Sequence, residues 1–424
     1  MRKWWLNIKC TGRNTFGSFL SAGALTPSTI SLISTTLGAG TVTLPFLASQ
    51  NGIVLASILI IFGAGLSYFC GMLLVRCAII VKAERYEDFA RYWYGEIAEK
   101  LTSWWNILTL LGFVVSYIVF VKSLVPHILG IIFPYTIFES PSHSQQNKFE
   151  TLSATFYSFW VLLPFGFARK VGTLRYNSIF GVCWTIYLSF CLIFMFFIDK
   201  SLVENPASNI KEVKLWSVNY NGLMTSIPFV VFAFLYQPNM PMIYKELQVQ
   251  TYQQMKLVTF GGSLFSVALY ILVSWFGYLI MVDTSLGVNI LLLKSNNIAF
   301  HIATFGFFFI ICAAAPMAFV PAKDSFEHYW AGGGNRLTYN ENIVITICML
   351  IFCYICAVAV PGISEVIIFL GWTTNPLSGF LLPILFYLKI HKDAPRWKKV
   401  CWYIWGVFLI VVSIWSFMVF ITGS

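Results

Sequence analysis

Charged residues are scarce in this chain of 424 residues: they make up 10% of it, against 58% hydrophobic residues. A soluble domain carries about 25% charged residues, so this chain cannot cover a water-exposed surface. The alternative solvent is lipid, and a helix that crosses a membrane needs about 20 apolar residues. The composition therefore predicts an all-α membrane protein and argues against a soluble enzyme.

Two further absences narrow the function. The net charge is +10, but the Lys and Arg residues form no basic domain with interleaved aromatics, which argues against nucleic-acid binding. Clusters of His with Asp or Glu at the edges of spans are also lacking, apart from His328 with Asp324 and Glu327 on a cytosolic segment. We interpret that exception as a solvated helix end, and we expect no enzyme activity, no cofactor and no metal site.

Apolar runs between Pro, Gly and charged residues predict eleven transmembrane helices. Their limits are 28–48, 52–78, 104–133, 151–168, 177–198, 222–243, 257–282, 298–320, 341–360, 365–388 and 400–421. A re-entrant segment near Pro361 is the alternative to one of the loops. Residues 79–103 mix charges with apolar residues at helical spacing, which predicts an amphipathic helix at the membrane interface.

The distribution of positive charge predicts the orientation. The segments on one side of the predicted spans hold 21 Lys and Arg residues, and the loops on the other side hold five. Because Lys and Arg concentrate in cytoplasmic loops, the N-terminus is expected in the cytosol. The basic N-terminal segment is also typical of a mitochondrial transit peptide. A vacuole or lysosome, the plasma membrane and the mitochondrial inner membrane all fit as locations.

The first predicted span has the composition of an interrupted helix. It contains six hydroxyl residues, two glycines and a proline between Ser31 and Pro45. In lipid every backbone N–H and C=O needs a partner, so such residues appear where an interruption lines a cavity. The N–H groups of Gly38, Ala39 and Gly40 would begin a half-helix whose positive dipole end suits a carboxylate. The alternative is that the glycines only provide a packing surface.

The sixth predicted span matches the first. It carries Pro228, Pro238 and Pro241. Because proline has no backbone donor, Pro238 and Pro241 are expected to free the carbonyls of Phe234 and Gln237, which suit an ammonium group. Interrupted spans at the start of each half are typical of transporters that are built from inverted repeats and bind substrate at the membrane midplane.

The two interruptions divide the chain into matching halves. We predict a cytosolic tail over 1–27, a first five-helix repeat over 28–198, an outer loop over 199–221, a second five-helix repeat over 222–388, and a cytosolic basic loop with the eleventh helix over 389–424.

At these residues the sequence resembles the amino acid/auxin permease family, within the amino acid-polyamine-organocation superfamily. The matching motifs are Leu37-Gly38-Ala39-Gly40 with Leu44-Pro45-Phe46, Phe232-Ala233-Phe234 leading to Pro238 and then Ile243-Tyr244-Lys245-Glu246-Leu247, Pro316 through Pro321 to Asp324-Ser325, and Gly371 with Leu382-Pro383. The resemblance covers the whole chain. It implies the fold of the bacterial leucine transporter, which is a 5+5 inverted repeat with discontinuous first and sixth helices plus one extra helix.

The resemblance also implies where a substrate binds. The first helix break would hold the substrate carboxylate, and the sixth would hold its amine and side chain. The site residues expected from this likeness are Thr35, Thr36, Leu37, Gly38, Ala39, Gly40, Phe234, Tyr236 and Gln237. The third, eighth and tenth spans would complete the wall of the pocket.

The sequence departs from sodium-coupled members of the family at the residues expected to bind the driving ion. Those members have an amide or hydroxyl near the first break and a hydroxyl on the eighth helix. Here Ser34 stands at the first position, and Ala314 lies in a stretch of the eighth span without a hydroxyl. We interpret Ser34 and Ala314 as vestigial sodium-site positions, and we expect proton coupling or uniport. The titratable candidates for a proton route are His127, His301, Glu365 and Lys122.

The sequence thus predicts a secondary transporter of neutral amino acids that works by alternating access. Its expected partners are the amino acid substrate, protons if transport is proton-coupled, and the lipid bilayer. The alternative is a non-transporting amino-acid sensor, or a structural subunit of a membrane complex, with the same fold.

Overall fold

A computed structural model of the chain describes residues 25–83, 85–133, 143–167, 175–200, 202–203, 205–282, 288–330 and 338–390, and the isolated positions 404, 411, 415 and 418. Among these residues every regular element is a helix, which confirms the all-α prediction. The predicted tail over 1–27 and the predicted eleventh span over 400–421 fall almost wholly outside the described residues.

The main helices follow the predicted spans closely. In chain order they are α1 (Leu25–Thr36), α2 (Leu44–Asn51), α3 (Ile53–Val81), α4 (Tyr86–Tyr94), α5 (Glu96–Ile132), α6 (His143–Phe156), α7 (Arg175–Ile198), α8 (Pro206–Glu212), α9 (Tyr220–Ala233), α10 (Met240–Glu246), α11 (Tyr252–Met281), α12 (Ile298–Trp330), α13 (Tyr339–Ala359), α14 (Ile363–Trp372) and α15 (Leu382–Ile390).

Seven of these segments are long and apolar enough to cross a membrane, and there are eight if the bent pair α1 and α2 counts as one span. The seven lie in α3, α5, α7, α11, α12, α13 and the stretch Ile363–Ile390 that contains α14 and α15. The predicted fourth and sixth spans are divided into pieces, and none of those pieces qualifies by length and hydropathy. The count of eleven therefore stays a prediction, as do the boundaries of the two repeats.

The first span is broken as predicted. Residues 37–40 are not helical, a 3-10 turn follows over Thr41–Thr43, and the two parts of the span meet at an angle of 48°. Glycine weakens the helix at Gly38 and Gly40, and Pro45 occupies the first turn of α2, where the missing N–H is tolerated.

The sixth span is broken as well. Helix α9 ends at Ala233, a 3-10 turn covers Gln237–Asn239, and α10 begins at Met240. Pro238 and Pro241 lie in the first turns of these two elements, where proline is tolerated.

Two other spans contain π-helical turns, which are rare and occur frequently at functional sites. In the fourth, α6 runs into a π-helical turn over Tyr157–Leu162 and then a last helical turn over Leu163–Gly166. In the tenth, α14 and α15 are joined by Thr374–Pro376 and a π-helical turn over Leu377–Leu381. The interfacial helix is shorter than its predicted range of 79–103, because residues on either side belong to α3 and α5.

Two buried lysines each bind the C-terminal end of a neighbouring helix. The Lys122 ammonium of α5 donates to the carbonyl of Val360, just after α13, at 2.9 Å. The Lys323 ammonium of α12 donates to the carbonyl of Gly166, the last helical residue of the fourth span, at 2.5 Å. A cation at a helix C-terminus is stabilised by the helix dipole. The first bond runs from the third span to the end of the ninth, and the second runs from the eighth span to the end of the fourth. In the predicted repeat the third span corresponds to the eighth and the fourth to the ninth, so the two bonds would occupy equivalent positions in the two halves.

Candidate functional site

The two helix breaks lie against each other. A Cβ atom added to Gly40 would lie only 3.0 Å from both the Cα and the Cβ of Ala233, the last residue of α9. Contacts this short are tighter than almost all real Cβ contacts, so only glycine permits this approach without displacing Ala233. The structure therefore brings together the two interruptions that the sequence placed in different halves.

Tyr270 of α11 joins the broken ends. Its hydroxyl lies 2.5 Å from the carbonyl oxygen of Thr36, the end of α1, and 3.0 Å from that of Ala233, the end of α9. Carbonyls at a helix C-terminus have no partner within the helix, and the Tyr270 hydroxyl supplies one for these two helix ends. Sequence reasoning did not identify Tyr270, because a tyrosine inside a span has many possible roles.

The first break leaves backbone donors unpaired. The N–H of Leu37 still bonds to Ile33, and the N–H of Thr41 bonds to the Gly38 carbonyl at 3.1 Å. Between them, among the described residues, the N–H groups of positions 38–40 donate no hydrogen bond. These donors precede the 3-10 turn and α2, which is the geometry that favours an anion.

The hydroxyls of Thr35 and Thr36 are turned back onto their own helix. Both donate to the carbonyl of Leu32, at 2.8 and 2.9 Å. Each hydroxyl oxygen can still accept a hydrogen bond but has no free proton to donate to a carboxylate. Donation to a ligand at this break therefore falls to the backbone.

The three residues predicted at the sixth break differ in what their side chains do. The Phe234 ring packs edge-on against Tyr270, with ring centroids 5.1 Å apart. The Tyr236 hydroxyl pairs with that of Ser263 at 2.9 Å. The side chain of Gln237 is fully buried, and neither its oxygen nor its nitrogen has a hydrogen-bond partner among the described residues.

The carbonyls at the sixth break are not the ones predicted to be free. The Phe234 carbonyl accepts from the N–H of Tyr236 at 3.1 Å, and the Gln237 carbonyl accepts from the N–H of Met240. Leu235 instead has a carbonyl that accepts no hydrogen bond within the described part of the chain. The reason is the 3-10 geometry, in which the donor missing at Pro238 would have served the residue three positions back rather than four.

The third and tenth spans border the breaks, and the eighth shares a buried core with the first. A Cβ on Gly38 would lie 3.6 Å from the Tyr117 hydroxyl of α5, which the sequence did not single out. A Cβ on Gly379, in the π-helical turn of the tenth span, would lie 3.5 Å from the amide carbon and nitrogen of Gln237. Residues of the eighth span, including Ala315, belong to the same buried core cluster as Ala39.

The Ser34 side chain lies near α7 and the eighth span. A Cβ on Gly181 of α7 would lie 3.8 Å from the Ser34 hydroxyl and 3.9 Å from a methyl group of Ile310 on the eighth span. Ala314 is partly buried on the same helix as Ile310. The assignment of Ser34 and Ala314 as vestigial sodium positions stays a prediction.

Three of the four titratable candidates for a proton route have polar partners away from the breaks. Lys122 holds the end of α13, as described above. His301 lies 2.6 Å from the carbonyl of Ser295, and Glu365 accepts from the adjacent Ser364 hydroxyl at 2.8 Å. The ring nitrogen Nε2 of His127 is buried without a hydrogen-bond partner among the described residues.

Of the polar residues predicted at the end of the eighth span, Asp324 forms an ion pair and His328 lies beside a carboxylate. Asp324 pairs with Arg85 at 2.8 Å, and His328 lies 3.7 Å from Glu99 at the start of α5. The ligand atoms of Asp88, Glu99 and His328 lie within 4.8 Å of one another. These three side chains thus bring together the interfacial helix α4, the start of α5 and the end of α12.

Comparison with known proteins assigns the family. The profile of the family described as transmembrane amino acid transporter protein matches residues 22–424. The chain is 25% identical to vacuolar amino acid transporter 5 of Saccharomyces cerevisiae, over 93% of this chain and 98% of that protein. It is 24% identical to solute carrier family 38 member 10 of Rattus norvegicus, over 90% of this chain and 34% of that protein. The chain thus spans about a third of the length of that relative.

The fold also matches a solved transporter. The crystal structure of MhsT in complex with L-phenylalanine superposes with a TM-score of 0.63, covering 92% of this chain and 97% of that chain at 13% sequence identity. At this identity the likeness concerns the fold alone. It agrees with the leucine-transporter-like architecture that the resemblance implied. The chain is a multi-pass membrane protein, it is not an enzyme, and it belongs to the transmembrane amino acid transporter protein family.

Proposed function

We propose that this chain transports neutral amino acids by alternating access, with the substrate bound between the two helix breaks. One observation carries the proposal. At the joint where both broken helices meet, three backbone N–H groups and one buried side-chain amide have no partner among the described residues. Buried polar groups in proteins are nearly always hydrogen-bonded, so a site with several unpaired groups of suitable chemistry favours a polar ligand.

The ends of an amino acid suit the two breaks differently. The N–H groups of Gly38, Ala39 and Gly40 would receive the carboxylate, with the Tyr117 hydroxyl beside them. The free carbonyl of Leu235 would receive the ammonium group. This division follows the positive and negative ends of half-helices in broken-helix transporters.

The surroundings of the breaks support a substrate without net charge on its side chain. The segments 31–44, 226–241 and 374–381 contain no Lys, Arg, Asp, Glu or His. A charged side chain buried there would lose its hydration without gaining a counter-ion, which costs several kcal/mol. A neutral side chain meets no such penalty.

For the energy source we propose proton coupling or uniport. By the resemblance, sodium-coupled members have oxygen-bearing side chains at two positions, and here Ser34 and Ala314 offer one hydroxyl between them. The name of the yeast relative supports a vacuolar or lysosomal membrane, and the charge asymmetry of the loops supports a cytosolic N-terminus.

Uptake by purified protein in proteoliposomes tests this proposal, with a panel of labelled amino acids under an imposed pH gradient, an imposed sodium gradient and no gradient. We expect uptake of neutral amino acids under an imposed pH gradient, or without a gradient when the same amino acid is already inside the vesicles and exchanges with the label. A sodium gradient should not drive uptake. Absence of uptake for every amino acid would contradict transport. Saturable binding without uptake would support the alternative of a sensor.

A further inference from the structure

The carbonyl of Ser378 lacks the backbone donors that a helix would supply. It lies in the π-helical turn of the tenth span, where hydrogen bonds reach back five residues instead of four. The N–H of Leu382 donates to the Leu377 carbonyl, which is the π register. The next residue is Pro383, which has no N–H to donate to Ser378. The π-helical turn and the proline together leave this carbonyl to be satisfied from elsewhere.

Tyr86, in the first turn of the interfacial helix α4, supplies the missing donor. Its hydroxyl donates to the Ser378 carbonyl at 2.8 Å, and both residues are buried. The Tyr86 ring packs against Phe386 of α15 and Phe89 of α4, with ring centroids 6.2 and 6.4 Å away. A buried acceptor that loses its donor costs more free energy than a typical hydrogen bond contributes. The Tyr86 hydroxyl therefore matters to this turn beyond the bond itself.

A second hydroxyl holds Ser378 from the third span. The oxygen Oγ1 of Thr109 in α5 lies 3.0 Å from the oxygen Oγ of Ser378. Thr109 uses its own proton to donate to the carbonyl of Trp105 at 2.9 Å, so the Ser378 hydroxyl is the donor in this pair. Ser378 is thus held through its carbonyl by α4 and through its side chain by α5.

The turn that is held in this way lies against the sixth break. An added Cβ on Gly379 would lie 2.5 Å from a methyl group of Leu235, whose carbonyl we propose receives the ammonium group. One residue corresponds to about 100° of rotation around an α-helix, so a change from the π to the α register would turn a neighbour of Gly379 toward the break. Both neighbours, Ser378 and Phe380, carry a Cβ that this close approach excludes.

We propose that Tyr86 is a positioning residue for substrate binding, whose hydroxyl keeps the tenth span in the π register and so keeps Gly379 against the sixth break. The inference rests on the proposed function, because it concerns how tightly the substrate is held. Pro383 leaves one carbonyl without a donor in either register, that of Ser378 in the π register and that of Gly379 in the α register. Tyr86 satisfies the first of these and thereby favours the π register.

Replacement of Tyr86 by phenylalanine tests the inference. Uptake into proteoliposomes is measured against substrate concentration for the wild type, Tyr86→Phe and the control Tyr94→Phe, with the neutral amino acid that the wild type takes up fastest. The Tyr94 hydroxyl, also on α4, donates at 3.0 Å to the carbonyl of Leu385, which lies within the regular helix α15. We expect Tyr86→Phe to raise KM about tenfold and the control to raise it less than about twofold, since only the first leaves a buried acceptor without a donor. A merely structural role of Tyr86 would lower the maximal rate, through loss of folded protein, and leave KM unchanged.

A second pair of variants reaches the same turn from α5 and decides the question even if Tyr86→Phe does not fold. Thr109→Val removes the acceptor of the Ser378 hydroxyl, and we expect KM to rise. Thr109→Ser retains a hydroxyl, and we expect it to leave KM close to that of the wild type.

Failure of the inference and failure of the proposed function give different results. An unchanged KM in Tyr86→Phe or in Thr109→Val would overturn the role of the π-helical turn, with transport intact. Equal increases in Tyr86→Phe and Tyr94→Phe would overturn it as well. A wild-type chain that takes up no amino acid at all would instead contradict the proposed function.

Discussion

Removal of a single hydroxyl group, by Tyr270→Phe, tests whether α11 holds the two broken helices together. The substitution leaves the ring in place against Phe234 and removes the donor that serves Thr36 and Ala233. One hydroxyl donates one proton, so it satisfies the two carbonyls in alternation or through a shared bond. In Tyr270→Phe neither carbonyl can receive this hydrogen bond.

The expected cost follows from this geometry. A typical hydrogen bond contributes about 0.5–1.5 kcal/mol, and a buried acceptor left unsatisfied costs about 1–3 kcal/mol. We therefore expect Tyr270→Phe to lower the free energy of unfolding by about 1–3 kcal/mol. Since the lost bonds hold the walls of the proposed site, the apparent affinity for substrate should fall as well, by about tenfold for each 1.4 kcal/mol that is lost from the bound arrangement.

Thermal unfolding in detergent measures this effect. A thiol-reactive fluorophore reports unfolding because Cys70, Cys77 and Cys353 are buried in the folded chain. The control is Tyr278→Phe on the same helix, whose hydroxyl accepts only a long bond of 3.4 Å from a backbone N–H. We expect a clear loss of stability and affinity for Tyr270→Phe and little for the control. Equal effects of the two substitutions would refute the joining role of Tyr270.

Two further predictions concern close contacts and buried charges. Gly40→Ala should lower the free energy of unfolding by about 1–3 kcal/mol, because the added methyl group would press against Ala233. Gly65→Ala is the control: no atom lies within 4 Å of its added Cβ, so it should be neutral or slightly stabilising. The unfolding midpoints of the two variants test this prediction. Lys122→Met and Lys323→Met should each destabilise the chain more than the corresponding arginine variants, because arginine retains a cation at the helix end. Equal unfolding midpoints for the methionine and arginine variants would contradict the capping role.

Local backbone chemistry explains what the sequence predicted well. The breaks at residues 37–40 and 234–239 follow from glycine and proline, whose effects on a helix act within one turn and need no tertiary contact. The lengths of most spans follow from apolar runs bounded by charges, for the same reason. The unpaired amide groups at Gly38 to Gly40 were predicted for this reason too.

Contacts between distant parts of the chain explain what the sequence did not reveal. Tyr270 and Tyr117 border the breaks only because α11 and α5 pack there, and neither residue carries a local signal. The free carbonyl was assigned to the wrong residues because the α-helical spacing was assumed where the chain forms a 3-10 turn. Lys122 was a candidate proton carrier by its position inside a span, whereas its partner at the end of α13 explains it as a helix cap.

A structure of the chain with bound substrate would show whether the two helix breaks hold the amino acid. The measurement is a cryo-electron microscopy map of the full chain, prepared with a saturating concentration of the amino acid that it takes up fastest. We predict density between the breaks, with the carboxylate within about 3 Å of the N–H groups of Gly38 to Gly40 and the side chain against Gln237. Density for the substrate at any other place, with both breaks empty, would show that the breaks are not the binding site.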